Sequence, residues 1–95
     1  YLREIEQDLN EGADAIIIKP ALAYLDIINV AKTNYNIPII AYNVSGEYSM
    51  IKSSAENGHI NEIEVVLETI YAMKRAGANA IITYYALELS KNLKY

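Results

Sequence analysis

Gly12-Ala13-Asp14-Ala15-Ile16-Ile17-Ile18-Lys19-Pro20 is the stretch whose reading decides the fold. Gly12 suits the left-handed cap that ends a helix. Ala15 to Ile18 is a short continuous apolar run, as expected of a strand buried on both faces, and Pro20 stops it. Just upstream, Leu2, Ile5 and Leu9 recur at helical spacing with charged residues between them. A helix therefore closes at Gly12 and runs directly into a buried strand. The same phrase returns at Gly77-Ala78-Asn79-Ala80-Ile81-Ile82. A helix cap leading into a strand, used twice, is how repeated β/α units look.

Working outward from this stretch, Leu22, Leu25, Ile28 and Ala31 mark a second helix that ends near residues 34–36. Pro38 opens a second strand, Ile39 to Val44, which Gly46 breaks. Tyr48, Ile51 and Ala55 predict a short helix stopped by Gly58. Asn61 caps a longer helix, with Glu64 placed like the return partner of a capping box. Val66, Leu67, Ile70 and Met73 form its apolar face, and Gly77 closes it. Ala80 to Tyr85 is a third strand, and Leu87 to Leu93 a last short helix. Strands alternating with helices imply an α/β fold of parallel strands joined by right-handed crossovers. Three β/α units make a piece of a barrel, because a closed eight-fold barrel needs roughly 200 residues or more. An open three-stranded sheet is the other arrangement open to such a piece.

Composition narrows the function. With 95 residues the chain is one small domain, and 53% apolar content excludes disorder. A net charge of −4, without a basic run, argues against nucleic acid or an anionic membrane as partner. The chain has no cysteine, hence no disulfide and no thiolate metal site. There is no secretory signal and no apolar run near the ~20 residues of a membrane span. A soluble, cytoplasmic protein is the expectation. The chain opens at Tyr1 in what reads as mid-helix, so it is read as a piece of a longer protein.

In parallel β/α proteins, ligands bind at the C-terminal ends of the strands. Three places qualify: Lys19-Pro20, Tyr42 to Glu47, and Thr83-Tyr84-Tyr85. Burial disfavours the ammonium form of a lysine and frees its amine for imine formation with a ketone. A lysine closing a buried strand therefore points to Schiff-base chemistry; the plainer reading is a side chain that snorkels to solvent. Ser45 and Gly46 read as a tight turn whose hydroxyl and N–H groups can hold a carboxylate, or as ordinary turn chemistry. Tyr84 and Tyr85 alternate across the third strand, so one faces the barrel interior and the other the helices. His59 reads as a surface loop residue, and Glu4, Glu6, Asp8 and Glu11 as a solvated acidic face.

Taken together, these residues resemble the porphobilinogen synthase family. Gly12 to Tyr24 follows the family's signature of Gly-x-Asp, an apolar run, Lys-Pro, a small residue, two free positions and Tyr. Further matching blocks follow in order: residues 41–52, 65–68, 74–78 and 82–86. The resemblance implies that residues 1–95 are the last three β/α units of a TIM barrel. It implies condensation of two 5-aminolevulinate molecules to porphobilinogen, a hydro-lyase reaction of tetrapyrrole and haem synthesis. Residue by residue, it implies Lys19 as the Schiff-base lysine, Ser45 and Tyr84 as carboxylate ligands, and Tyr42 as an aromatic wall. Glu4 takes the place of a glutamate that holds an allosteric magnesium through its water shell. The family also implies catalytic zinc or magnesium, a second active-site lysine, a lid and an arm building a homo-octamer. None of these is matched in this segment, so the isolated chain is expected to be inactive. Asn43 stands where glutamine or histidine is common. The competing readings are another Schiff-base barrel of the class I aldolase type and a non-catalytic fragment. The Lys19-Pro20 and Ser45-Gly46-Glu47 contexts argue against the aldolase.

Overall fold

A computed structural model describes residues 2–87. Helix α1 (Leu2–Asn10) leads to strand β1 (Ile16–Ile18). A 3-10 turn (Ala21–Tyr24) then feeds α2 (Leu25–Asn34) and β2 (Ile39–Tyr42). Two helices, α3 (Ser45–Glu56) and α4 (Glu62–Ala76), precede β3 (Ala80–Ile82). The strands are all parallel in the order β1-β2-β3. Ile18 pairs with Ala41, and Tyr42 with Ile82. This is the alternating α/β arrangement expected from the sequence, as an open sheet. No helix among the described residues is long and apolar enough to cross a membrane.

The two sequence echoes are echoes in hydrogen bonding. At the end of α1, the Gly12 N–H donates to the Leu9 carbonyl at 3.0 Å and the Ala13 N–H to Asp8 at 3.0 Å. At the end of α4, the Gly77 N–H donates to Lys74 at 3.0 Å and the Ala78 N–H to Met73 at 3.1 Å. Both glycines have positive φ, 92° and 123°. Each cap satisfies last-turn carbonyls and turns the chain toward its strand. At Gly77 there is a second constraint. A Cβ there would lie 2.6 Å from Cγ and 2.7 Å from Cβ of Lys32, whereas a Cβ on Gly12 would meet nothing within 4 Å. Gly77→Ala should therefore cost about 1–3 kcal/mol, and more than Gly12→Ala, which carries the backbone strain alone. Urea unfolding of both variants measures the difference; equal costs would show that Lys32 yields freely.

One face of the sheet carries the core. Ile16, Ile18, Ile39 and Ala41 are buried against Ile28 and Ala31 of α2, Ile51 of α3, and Val66, Ile70 and Met73 of α4. Burying each of the larger side chains contributes roughly 1.5–3 kcal/mol. Asn79 fastens β2 to β3: its N–H donates to the Ile39 carbonyl at 2.8 Å, and its Oδ1 accepts from the Ile39 N–H at 2.9 Å.

Several expectations are corrected. Ile16–Ile18 is buried on one face only, and Ile17 on the other is 51% exposed. The apolar run encodes two faces to be covered, and the described helices cover one. β2 ends at Tyr42 rather than Val44, and β3 at Ile82 rather than Tyr85. The next bond, from the Asn43 N–H to the Ile82 carbonyl at 2.8 Å, closes the ladder. Gly46 breaks nothing; it lies in the first turn of α3. The helix expected over Leu87 to Leu93 falls, beyond Leu87, outside the described residues.

Candidate active site

The side-chain period of a strand assigns the rim. Ile18 and Ala41 point to the helices, so Lys19 and Tyr42, each one residue further, point to the open face. Tyr42 is registered with Ile82, which is 43% exposed on that same face. Tyr84 follows two residues later and is 56% exposed, while Tyr85 is 1% exposed and belongs to the core. The expected division of the two tyrosines is thus realised. Lys19 is exposed, in correction of the expected burial, because none of the described residues covers the open face above β1.

Tyr84 is held from two sides. Its ring stands edge-on to that of Tyr48, with centroids 5.4 Å apart at 88°, and its hydroxyl interacts with that of Tyr42. Interaction with the Tyr42 hydroxyl, followed by desolvation, raises the Tyr84 phenol above its usual value of 10.0. A raised value keeps the proton on. Tyr84 is therefore a neutral donor at physiological pH, and the associated stabilisation is lost only as pH rises through the raised value. Tyr48 lies in the first turn of α3, so its contact brings Tyr84 to the start of that helix.

Ser45 is the first residue of α3 rather than part of a tight turn, with Val44 as its N-cap. The first N–H groups of a helix have no partner within it and carry partial positive charge. A hydroxyl there, beside those N–H groups, is well matched to a carboxylate. Lys19, Tyr42, Ser45 and Tyr84 accordingly stand on three successive strand ends on one rim. Glu4 does not join them in any observed contact. It is exposed in the first turn of α1, and no cluster of three His, Cys, Asp or Glu able to hold a metal occurs among the described residues.

Beneath the rim lies a hydrogen-bonded cluster that sequence reasoning missed. The Glu47 carboxylate, 5% exposed, accepts from the Leu22 N–H at 2.9 Å, the Asn43 Nδ2 at 2.9 Å and the Val44 N–H at 3.1 Å. Asn43 Oδ1 accepts from the Thr83 hydroxyl at 3.1 Å, and Thr83 Oγ1 accepts from the Tyr85 N–H at 3.2 Å. The only local signal was a glutamate at the third position of a helix, in reach of its own N-cap N–H. Reading Ser45 as a turn concealed it.

A sequence profile of the family described as delta-aminolevulinic acid dehydratase matches residues 1–92. This chain belongs to the delta-aminolevulinic acid dehydratase family. Relatives of that name from Staphylococcus aureus and Staphylococcus epidermidis are 56% identical over 92 residues, which is 97% of this chain. The chain spans 28% of the length of those relatives. A solved delta-aminolevulinic acid dehydratase (porphobilinogen synthase) from Toxoplasma gondii, in complex with the reaction product porphobilinogen, superposes with a TM-score of 0.92 at 47% identity. That match covers 97% of this chain and 26% of the Toxoplasma chain. Membership in the dehydratase family agrees with the resemblance read from the sequence.

Proposed function

We propose that this chain is the lysine-bearing end of a porphobilinogen synthase, forming the wall of its active site on which substrate is held covalently. One observation carries this reading: Lys19, Tyr42 and Tyr84 leave three neighbouring parallel strands on the same face, beside the start of the helix that begins with Ser45. The open face, lined by Ile17 and Ile82, is then the inward face of a (β/α)8 barrel whose other strands come from the rest of the enzyme. Closing the barrel over this face would desolvate Lys19. Desolvation disfavours an ammonium and favours a nucleophilic amine.

In this reading, the Lys19 amine attacks the ketone carbon of 5-aminolevulinate. The carbinolamine loses water, leaving an imine whose protonated form withdraws electrons from the adjacent carbon. Ser45 and the neutral Tyr84 hydroxyl donate to the substrate carboxylate, and Tyr42 backs Tyr84. Holding both ends of the substrate replaces a chance encounter by a positioned one. The described residues of this chain present no group of three His, Cys, Asp or Glu that could hold the family's metal. Glu4, exposed on α1, fits at most a contact through a metal's water shell.

The test is an exchange enzyme in which this chain replaces the matching 92-residue segment of the Staphylococcus aureus relative. It should make pyrrole from 5-aminolevulinate at a rate comparable to the relative's own. The 95-residue chain alone should make none. A well-folded exchange enzyme without turnover would overturn the assignment, and turnover by the chain alone would overturn the need for the rest of the barrel.

A further inference from the structure

We infer that the buried carboxylate of Glu47 is a positioning residue that ties the three strand-end loops of the site to one another, setting the reach of Lys19 and the hold of Ser45 and Tyr84. The inference rests on the proposed function above. Each loop is tied at a backbone or side-chain group close to a site residue. Leu22, whose N–H meets Glu47 Oε2, lies three residues after Lys19. Val44, whose N–H meets Oε1, immediately precedes Ser45. Asn43 carries the connection onward to Thr83, the residue before Tyr84. Leu22 and Glu47 are 25 residues apart in sequence, so this is a tertiary tie and not a local cap alone.

The hydrogen bonds run one way. The Tyr85 N–H, which can only donate, donates to Thr83 Oγ1 at 3.2 Å. The Thr83 hydroxyl then donates to Asn43 Oδ1, and Asn43 Nδ2 donates to Glu47 Oε1. The series ends on a group that only accepts, which an ionised carboxylate is. Three N–H donors and a place in the first turn of α3 compensate the burial of that charge. A carboxylate in the interior of the fold, with its oxygens divided between different loops, holds those loops at a fixed spacing. Leu22 and Val44 could each be satisfied by solvent if spacing did not matter.

Glu47→Gln in the exchange enzyme tests this. Glutamine keeps the shape but has a single acceptor oxygen, so its amide N–H must face either Leu22 N–H or the Asn43 and Val44 donors. Borohydride trapping of 5-aminolevulinate on the Lys19 peptide, assigned by mass spectrometry, counts the chains that can form that imine, and so discounts any misfolded fraction. Per trappable chain, the rate of imine formation at saturating substrate should fall roughly 10–100-fold, the sensitivity expected of a reacting group misplaced by about an ångström. KM should rise with it as Ser45 loosens. A role confined to stability would lower the trappable fraction and leave both constants per trappable chain unchanged, and that result overturns the inference. Should Glu47→Gln not accumulate as folded enzyme, Thr83→Val decides. It leaves all three bonds to Glu47 and removes the two that Thr83 Oγ1 makes, to Asn43 and from the Tyr85 N–H, on either side of Tyr84. It should raise KM several-fold while the imine-forming rate at saturation holds; an unchanged KM overturns the inference. An unmodified exchange enzyme that is inert tells against the proposed function itself, so the two failures are distinct.

Discussion

Lys19→Arg will fold and fail to turn over, and borohydride reduction of the unsubstituted exchange enzyme with 5-aminolevulinate will leave substrate on the peptide containing Lys19. The loss should be roughly 10⁴–10⁶-fold in kcat, the scale on which enzymes lose a covalent nucleophile. Arginine preserves charge and most of the length, but guanidinium stays protonated and does not add to ketones. The fold should tolerate the change, since Lys19 is exposed at the end of β1 and its side chain leaves on the face opposite the core. The family resemblance implies a second imine-forming lysine elsewhere in the full enzyme, so the adduct must be assigned by mass spectrometry. An adduct mapped only to other peptides, or ordinary turnover by Lys19→Arg, removes the central chemical claim.

Ser45→Ala and Tyr84→Phe should each lower kcat/KM by roughly 10–160-fold, which corresponds to about 1.5–3 kcal/mol for a hydrogen bond to a charged group. The structure makes both changes clean. Val44, not Ser45, is the N-cap of α3, so Ser45→Ala takes no capping bond away and places a good helix former in the first turn. Phenylalanine at position 84 keeps the ring that stands edge-on to Tyr48 and loses only the hydroxyl shared with Tyr42. Thermal unfolding should therefore change little in either variant. Wild-type kcat/KM would exclude the residue from carboxylate binding. Loss of the fold in Tyr84→Phe would instead make that hydroxyl structural.

The element order was legible because each element announces itself locally. Gly12 and Gly77 mark caps, Ile16–Ile18 and Ala80–Ile82 are apolar, and the α4 positions Val66, Ile70 and Met73 fall at helical spacing. The rim was legible for a related reason: it follows once the strands are placed, although Tyr84 and Tyr85 part in a turn just beyond β3 rather than by alternation along the strand. Two things escaped. Ile17 reads as covered from its apolar neighbours, but coverage requires chain packed on that face, and no local pattern reports where such chain comes from. Glu47 escaped because two of its partners sit next to it, while the third, Leu22, becomes a neighbour only once β1 and β2 are paired. Periodicity senses which face a residue occupies. It does not sense which distant N–H will arrive there.

The series through Asn43 restricts which amino acids its position admits. The side chain must accept from the Thr83 hydroxyl on one side and donate to the Glu47 carboxylate on the other. Leucine does neither, an ionised aspartate only accepts, and lysine only donates. Asparagine, glutamine and neutral histidine each carry one group of either kind on a short, flat frame. Those are the three residue types that the family resemblance brings together at this position, and they differ in reach and shape far more than in this dual capacity.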